Sequence, residues 1–210
     1  LALNGTPFIP QKAQYDLYKK YNKRPKLIIQ VVSTRTMRSI KDGGFMDIIK
    51  FVPYIENKEV SNMLKLTNKY SALDEYIPML KYLGREQEIF LGVLSFFNFE
   101  LFSKDNNKGY SPNVQEWTDE FDKFKKNGKT VQSYKDSLAC QLFENYLIEA
   151  KNEKVKIVIV YPPVYLEYIN YDSEFELLMN YYKNIAQKYN VLFLDYSKYD
   201  KISPYIKYFY

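Results

Sequence analysis

Histidine is missing altogether from the 210 residues. Without an imidazole the chain by itself cannot complete a Ser-His-Asp triad, a Cys-His dyad or a His-ligated zinc site. Cysteine is nearly as scarce. Cys140 stands alone, which excludes an internal disulfide framework and any Cys-rich metal cluster, so neither metal nor cofactor is expected. Arginine is confined to Arg24, Arg35, Arg38 and Arg85. The positive charge is therefore mostly lysine, the poorer residue for bidentate phosphate recognition. No uninterrupted apolar run nears the roughly 18 residues of a membrane span. Nor does Leu1 open an initiator Met, a basic n-region or a signal-like apolar segment. The chain is expected to begin inside a longer polypeptide.

What is present is an ordinary soluble composition, 46% hydrophobic and 26% charged, with an 18% aromatic share that includes 22 Tyr and 14 Phe. The net charge of +5 favours acidic partners only weakly. Its lysines and aromatics form no dense patch, so nucleic acid is not an expected partner. The length suits one α/β domain spanning 1–210.

Three short β-branched and aliphatic runs read as buried strands: 27–32, 155–160 and 191–194. Runs apolar on both faces suit a parallel sheet covered by helices. Leu1-Ala2-Leu3 reads as the tail of a fourth strand. Helical spacing of apolar residues predicts helices over 11–21, 133–151 and 173–189, the last opened by a Ser173/Glu176 capping box. Strand and helix alternate, which predicts an α/β fold with a mainly parallel sheet flanked by helices.

Residues 45–130 break the alternation. Helix-like stretches at 58–68, 71–83 and 86–97 are followed by a polar loop at 103–113, and the whole reads as a helical insertion. Its aromatic residues, Phe90, Phe96, Phe97, Phe99, Phe102, Trp117, Phe121 and Phe124, serve either as its own core or as a carbohydrate- or protein-binding surface. Cys140, among apolar helical residues, is expected to be a buried, inert thiol.

Open parallel α/β sheets bind ligands beyond the carboxyl ends of their strands. That rule selects four loops: Asn4-Gly5-Thr6-Pro7, Ser33-Thr34-Arg35-Thr36, Tyr161-Pro162-Pro163 and Asp195-Tyr196-Ser197. Gly5 lets the backbone approach a ligand closely, or is only a turn glycine. Arg35 holds an anion or is simply solvated. Asp195 serves as an acid, an orienting group or the cap of the following turn. Tyr161 and Pro162 set the exit from a strand and can line a cleft.

The segment Leu1-Ala2-Leu3-Asn4-Gly5-Thr6, a helix, and then Pro25-Lys26-Leu27-Ile28-Ile29-Gln30-Val31-Val32 resembles the second and third sequence blocks of the SGNH (GDSL-type) hydrolase superfamily. The nearest flavour is that of bacterial envelope proteins linked to O-acetylation of polysaccharides. Ile157 to Pro163 and Val191 to Tyr196 are similar to the same group, so the resemblance covers about half the chain, on both flanks of the insertion. It implies a flavodoxin-like three-layer fold and ester hydrolysis or O-acyl transfer, typically acetyl, on an envelope carbohydrate or an acylated small molecule. It also implies an extracytoplasmic location and leaves room for a membrane anchor outside the chain. Gly5 would match the glycine whose N–H helps form the oxyanion hole, with Asn4 and Thr6 beside it. Where the third block carries Asn, this chain has Ser33-Thr34-Arg35-Thr36, so Thr34 or Arg35 takes that place or nothing does. The nucleophilic Ser would lie before Leu1 and the Asp-x-x-His motif after Tyr210. Neither Asp195 nor Asp200 has His three residues on. The alternative is a non-catalytic glycan- or protein-binding protein on the same fold.

Overall fold

The computed structural model describes residues 6–41, 51–67, 90, 120–126 and 135–205. Around the sheet lie helix α1 (Phe8–Tyr21), strand β1 (Leu27–Val31), helices α2 (Lys58–Lys65) and α3 (Glu120–Lys126), then α4 (Ser137–Asn152) and strand β2 (Lys156–Tyr161). The order ends with α5 (Leu166–Ile169), α6 (Phe175–Tyr189) and strand β3 (Leu192–Asp195). The strands form a parallel sheet in the order β1-β2-β3. This is the expected α/β alternation, and each strand falls within a residue of its predicted place.

Helix boundaries follow local chemistry. α1 starts three residues before its predicted beginning, because Phe8 and Ile9 are buried and Pro10 sits in the first turn, where no amide hydrogen bond is lost. α4 starts where Asp136 caps it, its carboxylate accepting from the Ala139 amide at 2.8 Å. α2 is capped by Asn57, which accepts from the Glu59 and Val60 amides. At α6 the predicted capping box does not form. The helix begins at Phe175 without a side-chain cap, and Asp172, not Ser173, closes the preceding turn by accepting from the Glu174 amide at 3.2 Å. Its far end is sharp: Asn190 is left-handed (φ 54°) and the Val191 amide reaches back to the Ala186 carbonyl.

Register decides the faces. Ile28 pairs with Ile157 and Gln30 with Ile159, while Ile159 pairs with Phe193, so these side chains share one face. That face carries the core, with Phe143, Tyr146, Leu147, Leu178, Tyr182 and Ile185 packed over it from α4 and α6. Edge-to-face contacts order the aromatics, Phe8 on Phe143 at 4.8 Å and Tyr161 on Phe175 at 5.8 Å. The opposite face presents Leu27, Ile29, Val31 and Leu192, all at least half exposed. Both faces were expected to be covered. Among the described residues the helices pack on one face only, so the third layer is not seen in them.

Of the predicted insertion, Phe121 on α3 packs against Tyr165, Tyr168 and Tyr171 of the α/β core, and Phe90 is exposed. The stretches at 71–83 and 103–113, together with Trp117, lie outside the described residues, as do Leu1-Ala2-Leu3, Asn4 and Gly5. The Cys140 thiol is half-buried, and burial pushes its pKa up, keeping it protonated.

Candidate functional site

The carboxyl ends of β1, β2 and β3 bring three of the four selected loops to one edge of the sheet. Backbone hydrogen bonds tie these loops in pairs. The Phe8 amide donates to the Thr36 carbonyl at 2.7 Å, joining the segment after Thr6 to the turn after β1. The Val164 amide donates to the Ser197 carbonyl at 3.1 Å, joining the loop after β2 to the loop after β3.

The turn after β1 is closed by the Thr36 amide on the Ser33 carbonyl and by the Ser33 amide on Thr36 Oγ1, at 3.2 and 2.8 Å. Thr36 is buried, and so is Met37 beside it. From α6, the Tyr182 hydroxyl donates to the Ser33 carbonyl at 3.0 Å. Burial raises the Tyr182 pKa well above the phenol range, so this hydroxyl is a permanent donor. The turn is thus held from inside the core.

Along β1 runs a groove of about 680 Å³, bounded by Gln11, Gln14, Tyr15 and Tyr18 of α1 and by Leu27 to Val32. Side chains from both faces of β1 line it, so it follows the strand edge opposite β2. Its mouth at the carboxyl end is formed by Thr6, Ser33, Thr36 and Pro162. The Thr6 carbonyl accepts from Gln11 Nε2 at 2.7 Å, and Gln30 Nε2 donates to Gln11 Oε1 at 2.7 Å, which lines the wall with ordered amides.

Thr6 and Pro162 therefore meet in one groove, with Ser33 and Thr36 between them. Thr34 is half-buried and Arg35 exposed on the outer side of the same turn. Tyr161 points into the core, where burial raises its hydroxyl pKa, and its hydroxyl meets the Thr34 backbone of the turn after β1. Asp195 stands apart, beside a shallower hollow of about 300 Å³ with Lys183 and Lys198. Its Oδ1 accepts from both the amide and the hydroxyl of Ser197, at 3.0 and 2.6 Å, which is the capping role among the three foreseen for it. Thr36 lay in one of the selected loops, whereas Tyr168 and Tyr182 were not singled out as site residues by sequence. Tyr182 carried only a helical-core signal, and Tyr168 is brought to the edge by α5, a single turn too short for a periodic pattern.

No set of three His, Cys, Asp or Glu side chains among the described residues could hold a metal ion. Among those residues no helix is long and apolar enough to cross a membrane. Compared with protein-family models, curated proteins and solved structures, the chain matches none of them.

Proposed function

We propose that the chain is the α/β portion of an SGNH-type esterase or O-acyltransferase that works on an acylated carbohydrate of the cell envelope. One observation carries the reading. The residues that directly follow the two resembling segments 1–6 and 25–32 are hydrogen-bonded to each other, the Phe8 amide to the Thr36 carbonyl, at the carboxyl edge of a parallel sheet. They also open into the same groove as Pro162.

In this reading the Gly5 N–H stabilises the oxyanion of the tetrahedral intermediate, a contribution whose loss costs on the order of 100-fold or more in turnover. The nucleophilic Ser and the His base come from sequence outside these 210 residues, the Ser attacking the acyl carbon and the His carrying its proton to the leaving sugar hydroxyl. The edge of β1 along the groove is where a strand bearing that Ser would pair.

The decisive experiment expresses the natural coding sequence with whatever flanks this chain and follows acetate release from p-nitrophenyl acetate and from an O-acetylated polysaccharide. Hydrolysis or transfer that is lost when the upstream Ser is changed to Ala supports the reading. If no Ser-bearing strand precedes Leu1 and no Asp-x-x-His follows Tyr210, acyl transfer is ruled out and the non-catalytic binding protein takes its place.

A further inference from the structure

The loop after β3 is held from inside, which fixes the residues on its outer side. The Tyr196 amide donates to the Tyr161 carbonyl at 2.9 Å, and Ser203 Oγ donates to the Ser197 carbonyl at 3.1 Å. Ser197 and Ser203 are buried, while Tyr196 and Tyr199 are 42% and 39% exposed. Their two rings meet edge to face with centroids 6.0 Å apart, so each restrains the other. An aromatic surface is thus presented on a loop that needs no ordering when something binds.

Beside this loop lies the hollow of about 300 Å³, with α6 as its other wall. At the amino-terminal end of α6, Lys198 pairs with Glu176 at 2.9 Å and lies over the Phe175 ring at 5.9 Å. Those charges are matched. Further along α6 the match is looser. Asp195 Oδ1 is engaged by the amide and hydroxyl of Ser197, but Oδ2 stands 3.8 Å from Lys183 Nζ, too far for a hydrogen bond. Tyr199 and Asp200 border the same hollow. A donor, two carboxylates and an aromatic residue therefore share one small space.

That set selects its ligand. An anion would face Asp195 and Asp200, and a cation would face Lys183, so either brings a like charge into the hollow. A neutral ring bearing hydroxyls meets neither. One hydroxyl can accept from Lys183 and donate to Asp195, and the apolar face of the ring has an aromatic side chain to lie on. The volume is at the small end of ligand pockets, which begin at about 300 Å³, and so suits a single ring.

We propose that the hollow between α6 and the loop after β3 is a subsite for one neutral hexopyranose unit, with Tyr199 as its platform and Lys183 and Asp195 as its hydrogen-bonding pair. That a sugar binds there stands on the hollow itself. That this sugar is a neighbouring unit of the acylated glycan rests on the function proposed above. Strand β3 lies two strands from β1, about 10 Å across the sheet, so the hollow is separate from the groove but on the same edge.

The test is an NMR titration of the 210-residue chain at constant ionic strength, with methyl β-D-glucoside, methyl β-D-galactoside, D-glucuronate and glycerol as separate probes. One or both glycosides should bind saturably and shift the amides of Lys183 and of residues 197–200. Glycerol, which has hydroxyls but no ring, should not. Tyr199→Ala should weaken glycoside binding about tenfold, and Tyr199→Phe, which keeps the ring, far less. Lys183→Met should weaken it by a similar factor with the rest of the spectrum unchanged, since Lys183 is 53% exposed. No saturable glycoside binding, glycerol shifting the same amides as strongly, or glucuronate binding more tightly than both glycosides would overturn the subsite. So would glycoside binding that survives Tyr199→Ala and Lys183→Met combined, or shifts confined to Gln30, Ser33 and Thr36 at the β1 groove. No ester is cleaved in this experiment, so its failure is separate from failure of the esterase reading.

Discussion

Tyr182 joins the core of this protein to the carboxyl edge of its sheet through its hydroxyl. The side chain is fully buried on α6, and its hydroxyl donates to the Ser33 carbonyl of the turn after β1 at 3.0 Å. Tyr182→Phe would leave the carbonyl without its donor at little change in shape. The expected cost is about 1–3 kcal/mol in urea unfolding, with faster amide exchange at Thr36 and Arg38. A variant as stable as the parent, with unchanged exchange, would show that the turn is held by its own hydrogen bonds.

A second residue, Glu149 on α4, gathers Lys12 and Lys19 from α1, with Lys12 at 3.1 Å. Burial would raise the carboxyl pKa, but hydrogen bonds from Lys19 and Lys12 outweigh it and hold the value below the ordinary 4.5. A carboxylate whose folded pKa is depressed contributes stability that is fully present above its unfolded pKa and is lost as pH falls through the folded value. Glu149→Gln should therefore cost about 1 kcal/mol at pH 7. The difference from the parent should shrink as acid carries the pH below the ordinary 4.5 and through the lower folded value, where the parent's own carboxylate is protonated. Urea titrations at the two pH values measure it.

At the scale of elements, a side-chain cap fixes the start of α2 and of α4, whereas α1 and α6 begin without one. The apolar spacing before α4 extends back to Ser133, yet the helix starts at Ser137, because Asp136 offers its carboxylate to the Ala139 amide. Asp136→Ala should destabilise the protein by about 1 kcal/mol in thermal or urea unfolding. Asp136→Asn should recover most of it. At α6 the sequence pattern of a capping box was present in Ser173 and Glu176, but Asp172 closes the turn one residue earlier. A capping box needs its first residue at the N-cap, and here Glu174 holds that position. Pattern alone cannot tell which of two adjacent hydroxyl or carboxyl residues reaches the free amide.

For the molecule as a whole, the consequence of parallel pairing is an unequal sheet. Ile159 is 0% exposed beneath α4 and α6, and Ile29, on the other face, is 63% exposed. Ile159→Ala should cost about 3 kcal/mol or more through lost burial and the cavity left behind. Ile29→Ala should fall within about 0.5 kcal/mol of the parent. Equal costs for the two would mean that the outer face is covered in solution. An apolar sheet face of this size is also a surface that associates, so hydrodynamic measurement on Ile29→Lys should show less self-association than on the parent.

The lack of histidine, the single thiol and the three apolar runs were enough to exclude a self-sufficient triad and to predict parallel strands alternating with helices. These are local properties, carried by residue type and by periods of two and 3.6 residues, and they survive in any tertiary setting. The same periods state that Leu27, Ile29 and Val31 share a face, but not which face the helices take. That choice fell to packing, since α4 and α6 can cover only one side. The strand-end rule placed the loops of Thr6, Thr36, Pro162 and Asp195 along one edge, but that the first three line one groove while Asp195 stands by another hollow was out of reach of pattern. These residues lie far apart in the chain. Only strand register and backbone hydrogen bonds between loops decide which of them share a groove.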